Sequence, residues 1–584
     1  MRESAIHVPR SATPPPPSSA GGKYAAALRL LSLRDRVSLL MLTTGRIAVG
    51  LCDLLVAAAM YLLFLTLQGH TAVPHLFGLP QTVLSLGIIT ATLVVTRSLA
   101  DSSTALLSLR RIHHLQTELL LRLVRGYSQM QWTHFVERNR SELVNFAIHT
   151  TRDAADFFHR WIELVASVVV VLVMAVAVIW KSPPAAAGVA VLLAAVYALH
   201  RYGIRGSLQT AASSREDSVR RLQRDLTDLF SSGKEIRTYR LQSFFSERIR
   251  HHAQRMASGS VRAVFLPQVG RSIADQGAVL IFLVMVIVVQ LHQSDTHGLL
   301  ALLAFYFVLS RRLLPLTSQI ALIAGQMESA WEHVRIVDTE LQECLRHRAA
   351  PEPTRLPTAG YAVELSQVSF SYLEDKPILT NLDFRLREGE IVVLQGASGS
   401  GKSSLLNLIA GIADPRSGTI LCDRARVCYV PQEVPLLDDS IRTNLLFGST
   451  GIPDEELMRA LRTARLDQFV AAQPSGLAAG VGDNGSLLSG GQRQRLGLAR
   501  ALVRGGDTLL LDEATSALDE DSEREILEAL AASGKAVLLA THRVRAHLFA
   551  HRVLQLCGGE LLEERAYLEC RRQMQRDSAS LSSS

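Results

Sequence analysis

The chain has 584 residues, of which 48% are hydrophobic and 20% are charged. Its length allows more than one domain, and its mean hydropathy of +0.19 is unusual for a wholly soluble protein. The net charge of +7 would suit a nucleic-acid partner. We exclude nucleic acid because the basic residues cluster beside long apolar runs, which is the positive-inside pattern of a membrane protein.

The first residues of the chain are rich in proline and serine. Four consecutive prolines, Pro14 to Pro17, lie in a stretch without an apolar core segment. This composition predicts a disordered leader over residues 1–22 rather than a signal peptide. A serine-rich stretch predicts a second disordered segment, the tail over residues 571–584.

Six apolar segments follow the leader, and each is predicted to cross a membrane, which takes about 20 helical residues. They are Leu39–Leu67, Gln81–Leu106, Ile162–Trp180, Pro184–Tyr202, Gly277–Leu291 and Leu299–Ala324. Six crossings place both ends of the domain on the arginine-rich side. We therefore expect residues 23–345 to form a six-helix membrane domain, and the proline-rich residues 346–361 to form a linker.

Helical periodicity continues between these segments. Apolar residues recur at helical spacing among charges over Arg110–Val124, Ser213–Leu229 and Phe244–Met256. These stretches predict helices that extend well into the cytoplasm. Aromatic residues mark the interruptions at their far ends, near Tyr127–Phe135 and Phe230–Phe245. We expect both tips to contact the C-terminal domain, with ordinary interhelical loops as the alternative.

Some ionisable residues lie within the apolar segments, where charge is costly. Arg97 and Asp101 are four residues apart, so they are predicted to pair on one helix face, as are Arg271 and Asp275. Arg46 and Asp53 are seven residues apart and are predicted to pair through neighbours. Because each of these charges has a predicted partner, we interpret these residues as structural rather than as substrate-binding.

Two adjacent arginines in the sixth segment differ from the others. Arg311 and Arg312 have no acidic residue near them in sequence, since none lies between Asp295 and Glu328. They could bind a substrate phosphate or carboxylate, or pair with an acid from another helix, and the sequence leaves both open.

The C-terminal domain is predicted over residues 362–570, and the first of its functional motifs is a glycine-rich loop. It follows the short apolar strand Ile391–Leu394 and precedes a helical segment, as a P-loop requires. Its N–H groups would surround phosphates, Lys402 would bind the β- and γ-phosphates, and the Ser403 hydroxyl would bind Mg²⁺. The predicted ATP-binding residues here are Gly396, Ala397, Ser398, Gly399, Ser400, Gly401, Lys402, Ser403 and Ser404.

Two acidic residues follow a second apolar strand, Thr508–Leu511. Asp512 fits a metal ligand, and Glu513 could polarise a water molecule beside the γ-phosphate. On their own, two acids after a strand more often cap a helix. Because a P-loop precedes them, they predict a catalytic pair.

The motif Leu488-Ser489-Gly490-Gly491-Gln492 completes a pattern that resembles ATP-binding cassette (ABC) transporters. This resemblance implies roles for residues beyond the P-loop. Tyr372 would stack on adenine, and Gln432 would sense the metal and the γ-phosphate. Ser489, Gly490 and Gly491 would contact the ATP held by the partner cassette. Gln492 and Asp519 are also implied to belong to the ATP site, and Asp519 would communicate across the dimer. The implied catalytic residues are Glu513 and His542, and the implied metal ligands are Ser403, Gln432 and Asp512.

The order of the two domains resembles ABC half-exporters. The resemblance implies an all-α six-helix transmembrane domain of the ABC exporter type, followed by an α/β P-loop nucleotide-binding domain. It also implies ATP-driven export or flipping of an amphipathic substrate by a homodimer that uses ATP and Mg²⁺, and this substrate would be anionic if Arg311 and Arg312 bind it. The expected location is the bacterial cytoplasmic membrane, with the cassette in the cytoplasm.

Short motifs bear on the substrate and on the dimer. Ser141-Glu142-Leu143 and Arg312-Leu-Leu-Pro315 resemble flippases of lipid-linked oligosaccharides, although peptide exporters share similar pieces. A peptide exporter and a nucleotide-gated regulator without transport are the alternatives. Before the signature motif, Asp483 stands where exporters usually carry a glutamate, which puts in doubt its contact with the partner's membrane helices.

Overall fold

The computed structural model describes residues 26–67, 82–181, 205–292, 299–349, 356–372 and 376–563. It divides the chain into two units. The first contains Met1–Ser128 and Asn139–Arg346, and the second contains Gln129–Arg138 and His347–Ser584.

Long helices form the first unit because its apolar segments continue into charged helical extensions. In chain order, the helices are α1 (Leu33–Leu67), α2 (Val83–Ser128), α3 (Trp132–Val136), α4 (Arg140–Asn145), α5 (Thr151–Lys181), α6 (Arg205–Ser231), α7 (Gly233–Thr238), α8 (Gln242–His292) and α9 (Leu299–Arg346). All of them belong to the first unit except the short helix α3, which belongs to the second. A π-helical turn, Phe146–Thr150, joins α4 to α5. At 1.5 Å per residue, the 46 residues of α2 extend about 69 Å, more than twice the hydrocarbon thickness of a bilayer.

Three helical stretches among the described residues are long and apolar enough to cross a membrane, namely Leu33–Leu67, Val83–Ser128 and Arg140–Ala177. They contain the first predicted segment and most of the second and third, which begin at Gln81 and end at Trp180, respectively. The fifth and sixth predicted segments lie in α8 and α9, and the fourth lies outside the described residues. The predicted interruptions are confirmed as breaks between helices, at residues 129–131 and around α7. Their contact with the C-terminal domain stays a prediction.

The pairing predicted for the membrane charges is wrong. Arg97 Nε lies 2.7 Å from Asp53 Oδ1, and Arg46 Nη1 lies 3.1 Å from Asp101 Oδ1. Both ion pairs join α1 to α2, whereas the sequence spacing suggested pairs within one helix. The antiparallel packing of the two helices brings opposite charges face to face, and this tertiary register overrides the local spacing. The side chains of Arg271 and Asp275 lie outside the described part of the chain.

A third ion pair extends this register toward the start of α1. Arg111 of α2 pairs with Asp35, a buried carboxylate that also accepts a hydrogen bond from Ser32 Oγ at 2.5 Å. The charges of the three α1 members alternate in sign along the helix. A slip between α1 and α2 by one pair would therefore place like charges opposite each other, so the pairs specify one register.

The second unit is built on two sheets. Three antiparallel strands, in the order β2-β1-β4, form the smaller sheet: β1 (Tyr361–Phe370), β2 (Leu379–Arg387) and β4 (Ser417–Cys422). The larger sheet has the order β5-β6-β7-β3-β8-β9. Its strands are β3 (Ile391–Gln395), β5 (Val427–Val430), β6 (Thr508–Asp512), β7 (Ala536–Ala540), β8 (Arg552–Cys557) and β9 (Glu560–Glu563). All neighbours in it are parallel except β8 and β9.

The central strands of the larger sheet are apolar and buried, as parallel strands covered on both faces must be. Alternate residues belong to two different cores: Val393, Leu511 and Leu539 to one, and Leu394 and Leu510 to the other. The covering helices include α10 (Lys402–Ile409), α11 (Ile441–Leu446), α12 (Asp454–Thr463), α13 (Asp467–Ala471), α14 (Gly490–Val503) and α15 (Glu520–Ala532). Because five strands, β5, β6, β7, β3 and β8, run parallel, their carboxyl ends and the loops that follow share one edge.

The first prediction tests the ion pairs of the membrane helices. Arg97→Ala should lower the thermal unfolding temperature in detergent because it removes the arginine from a half-buried carboxylate, a change that costs less than the roughly 3–5 kcal/mol of a fully buried pair. The double variant Arg97→Ala/Asp53→Ala should regain most of that loss. Arg110→Ala, an exposed position on the same helix, is the matched control. Equal unfolding temperatures for Arg97→Ala and Arg110→Ala would contradict the assignment.

Candidate active site

The loop after β3 has the geometry of a phosphate-binding loop. Gly401 has a φ of 105°, and a Cβ atom there would lie 2.7 Å from Ile378 Cγ2, so only glycine fits. Lys402 begins α10 and is 92% buried, with its ammonium donating to the carbonyls of Gly396 at 2.9 Å and Ala397 at 3.1 Å. The carbonyls that hold the Lys402 ammonium are neutral, so its positive charge is not cancelled. Together with the N-terminus of α10, this ammonium forms a site that suits an anion in both charge and geometry.

The two acidic residues at the end of β6 have different surroundings. Asp512 is buried and accepts a hydrogen bond from the Tyr429 hydroxyl at 3.2 Å. Burial, together with this carboxylate, raises the pKa of Tyr429 well above its usual value, so its hydroxyl remains a donor. Glu513 has a φ of 48°, a left-handed conformation that costs a non-glycine residue about 1–3 kcal/mol. Its N–H donates to the Ala540 carbonyl of β7 at 2.9 Å, which holds this conformation.

Three predicted residues meet at the Glu513 carboxylate. Gln432 Nε2 donates to Glu513 Oε2 at 3.0 Å, and His542 Nδ1 lies 3.5 Å from Glu513 Oε1. Gln432 follows β5, Glu513 follows β6, and His542 follows β7. These are three adjacent strands, and β3 with its P-loop is the next strand along.

The signature residues form a second group. Ser489 caps α14: its Oγ accepts from Gln492 N at 3.2 Å, and Gln492 Oε1 accepts from Ser489 N at 2.8 Å. This capping box leaves the first N–H groups of α14 directed outward from the helix end. A Cβ atom on Gly491 would lie 3.0 Å from the Ala517 carbonyl, so the turn packs closely against that residue.

Two further predicted residues, Asp519 and Tyr372, make local contacts. Asp519 caps α15 by accepting from Ser522 N at 3.0 Å, and this backbone hydrogen bond lowers the pKa of its carboxyl group. Tyr372 is half-exposed, and its ring packs edge-on against Phe370 at 4.8 Å between centroids. Across the described ranges, no hydrogen bond or ion pair joins Ser489 or Asp519 to the P-loop.

The predicted substrate arginines remain untested. Arg311 and Arg312 lie in α9, and their side chains lie outside the described part of the chain.

Two residues that sequence reasoning did not single out, Gln494 and Arg543, hold the loop Ser516–Asp519. Gln494 Nε2 donates to Ser516 Oγ at 2.9 Å, while Gln494 Oε1 accepts from Ala517 N at 2.9 Å. Arg543 Nη2 donates to the carbonyls of Ser516 at 2.8 Å and Leu518 at 2.9 Å. The only sequence signal was position, since Arg543 directly follows His542 and Gln494 lies two residues beyond the signature motif.

Arg543 is itself anchored by a buried carboxylate. Its Nη1 donates to Glu523 Oε2 at 2.8 Å, and Glu523 Oε1 accepts from Thr515 Oγ1 at 2.8 Å. Gln494 also donates to the Glu513 carbonyl at 3.3 Å. The loop therefore ties the signature helix and the segment after β7 to the backbone of Glu513.

Comparison with known proteins decides the family of this domain. Residues 379–516 match the family model described as ABC transporter. The C-terminal domain is an ABC transporter cassette.

The chain is similar to several curated proteins over part of its length. It is 37% identical over 230 residues to an ATP-dependent lipid A-core flippase of Syntrophus aciditrophicus, covering 37% of this chain and 38% of that protein. It is 41% identical over 232 residues to a flippase of the same name from Burkholderia thailandensis, covering 37% and 39%. It is 40% identical over 230 residues to the mycobactin import ATP-binding/permease protein IrtB of Mycolicibacterium smegmatis, covering 37% and 39%. The matched stretch thus spans about two fifths of each relative.

The similarity in fold extends beyond the cassette. A bacterial Atm1-family ABC exporter solved with ATP bound matches 91% of this chain and 95% of its own, with a TM-score of 0.72. The sequence identity is 21%, so this likeness concerns the fold. It confirms the predicted fold class, a helical membrane domain followed by an α/β cassette.

The second prediction concerns Arg543. Arg543→Ala should leave ATP affinity nearly unchanged and lower the maximal ATPase rate about tenfold or more, because charged hydrogen bonds worth about 1.5–3 kcal/mol are lost. Arg543→Lys should recover little, since an ammonium lacks the forked donors of a guanidinium. The measurements are nucleotide affinity and steady-state hydrolysis by the full-length protein.

The control is Arg545→Ala, two residues after Arg543 in the chain. It removes an exposed ion pair between Arg545 and Glu520. It should retain wild-type turnover and thermal stability. An equal loss of turnover in Arg543→Ala and Arg545→Ala, or a parallel loss of ATP affinity in Arg543→Ala, would refute the positioning role.

Proposed function

We propose that the protein is a homodimeric ABC half-transporter that couples ATP hydrolysis to the export or flipping of an amphipathic substrate. The observation that carries the proposal is the Glu513 carboxylate, which Gln432 and His542 contact beside a P-loop lysine. Helices long enough to cross a membrane precede the cassette in the same chain. The expected location is the bacterial cytoplasmic membrane.

Hydrolysis follows from the positions of these side chains. The loop Gly396–Gly401 and Lys402 would bind the phosphates of ATP. Glu513 would accept a proton from a water molecule as its oxygen attacks the γ-phosphorus and the bond to the bridging oxygen breaks, releasing ADP. His542 would donate a hydrogen bond to the γ-phosphate, and Gln432 would orient the Glu513 carboxylate. Tyr372 would stack on the adenine.

The residues around the phosphate loop fit Mg²⁺. Ser403, Gln432 and Asp512 offer oxygen donors, which hard cations prefer. Asp512 is buried, and no ion pair among the described residues involves it, so a bound cation would compensate its charge. Mg²⁺ would neutralise charge on the β- and γ-phosphates.

The separation of the signature residues from the P-loop supports a dimer. Ser489, Gly490 and Gly491 would offer a helix N-terminus to the ATP held by the partner subunit, and Asp519 would approach the same interface. Since the chain has one cassette, two identical chains closing head to tail would form two equivalent sites.

Export of a lipid-like substrate is supported by the kinds of protein that this chain resembles. Two relatives are named as lipid A-core flippases, and the matching structure is named as an exporter. One relative is named for import, so similarity of the cassette alone does not set the direction. The substrate that we propose has an anionic head, which Arg311 and Arg312 would bind. A peptide substrate has no structural observation in its favour.

The third prediction concerns hydrolysis. Glu513→Gln should bind ATP with wild-type affinity and lose nearly all turnover, because an amide cannot accept the proton from water. Lys402→Ala should lose ATP binding as well. Affinity measured with a fluorescent ATP analogue and phosphate release in proteoliposomes separate the two defects. Wild-type phosphate release by Glu513→Gln would refute the assignment.

The fourth prediction concerns the substrate. In proteoliposomes, Arg311→Ala/Arg312→Ala should keep basal ATPase activity and lose both stimulation by lipid A-core and its movement between leaflets. Burying an arginine in a bilayer costs about 2.5–3.5 kcal/mol on insertion scales, so the pair needs a polar partner. Arg346→Ala, at the exposed end of the same helix, is the control.

Two outcomes would argue against this anion site. Full stimulation of ATPase activity by lipid A-core in a stable double variant would rule out the anion site. A fall in basal ATPase together with thermal destabilisation would show that the arginines are structural. Steady hydrolysis by the wild type without movement of lipid would favour the regulator instead.

A further inference from the structure

The membrane unit contains a large apolar cavity that the proposed transport cycle does not use. Its volume is about 720 Å³, within the range of about 300–1,000 Å³ typical of small-molecule sites. It lies between the helical segment at residues 26–30 and helices α1, α5 and α9. Four rings line one side of it: Phe157, Phe158, Trp161 and Trp331.

Three of the rings pack together. Phe157 contacts Phe158 edge-on at 5.4 Å and Trp331 at 5.9 Å between centroids. Leu28 and Leu40 also line the cavity and remain 45% and 66% exposed. Such a lining suits a flexible hydrocarbon chain, because it offers apolar contact and few groups that need hydrogen bonds.

The depth of the cavity coincides with the predicted membrane boundary on three helices. Leu39 begins the first predicted membrane segment and Ala324 ends the sixth, and both residues line the cavity. Trp161 lies one residue before the start of the third segment. Tryptophan is enriched at membrane–water boundaries, which fits both Trp161 and Trp331. The cavity therefore spans the level of the cytoplasmic headgroups and the adjoining acyl chains.

One cation lies on the water side of this boundary. Arg36 lines the cavity three residues before Leu39, is exposed, and donates to the Leu28 carbonyl at 2.5 Å. Within the described ranges it makes no ion pair, whereas nearby Arg29 pairs with Asp338 at 2.5 Å and Asp35 pairs with Arg111. The Arg36 guanidinium has further N–H donors for a phosphate.

We propose that this cavity binds an anionic phospholipid of the cytoplasmic leaflet, with an acyl chain against the aromatic rings and its phosphate at Arg36. Charge and depth together select this ligand, since the cation lies at headgroup level and the apolar wall continues toward the bilayer centre. The site is distinct from Arg311 and Arg312 and does not depend on whether the protein transports a substrate.

Tryptophan fluorescence in proteoliposomes tests the proposal. The chain has four tryptophans, and Trp132→Phe/Trp180→Phe would leave Trp161 and Trp331 as reporters. Bromine-labelled phosphatidylglycerol should quench them at about one fifth of the mole fraction that bromine-labelled phosphatidylcholine requires, the preference expected from one arginine near the surface. Arg36→Gln in this background should abolish the preference. Arg34→Gln, an exposed arginine on the same turn that does not line the cavity, should retain it.

Several results would overturn the proposal. These are equal quenching by both lipids in the parent protein, or loss of the preference in both arginine variants. Weak quenching by both lipids that rises on deletion of residues 1–22 would identify the leader as the occupant. Should Arg36→Gln fail to fold, Ala324→Phe fills the cavity and should reduce quenching by both lipids, and unchanged quenching would refute the site.

Discussion

The parallel register of four strands is the constraint on which the proposed chemistry depends. Strands β5, β6, β7 and β3 are adjacent, and the loops that leave their carboxyl ends carry Gln432, Glu513, His542 and Lys402. Alternate residues of these strands fill two different cores, so a slip by one residue would exchange the buried faces. Burial of Val, Leu and Ile side chains thus fixes the sheet edge at which these four polar groups lie.

A second set of contacts joins this edge to the signature helix. The loop Ser516–Asp519 is held by Gln494 from one side and by Arg543 from the other, while Gln494 also reaches the Glu513 carbonyl. Glu513 stays in a strained backbone conformation because its N–H bonds to β7. Under the proposed function, these bonds would make the position of Glu513 sensitive to the loop that faces the partner subunit.

Sequence reasoning identified elements correctly where the pattern lies within one segment. The glycine-rich loop after β3, the acidic pair after β6 and the long helices follow from such local patterns, and the structure contains them at these positions, while their chemistry stays a prediction. Sequence reasoning failed for Arg97 and Asp101, because an i,i+4 rule concerns one helix while antiparallel packing gives each residue a partner on the other helix. Tyr429, Gln494 and Arg543 were missed since their partners are distant in sequence, and no local pattern distinguishes them from ordinary polar residues.

The most direct test of the account is a structure of Glu513→Gln in lipid with Mg²⁺ and ATP bound. The account predicts a closed dimer in which each γ-phosphate lies between Lys402 of one chain and Ser489 of the partner subunit, with residue 513 facing the attacking side of that phosphate. ATP bound by single cassettes, with Ser489 open to solvent in both chains, would contradict it.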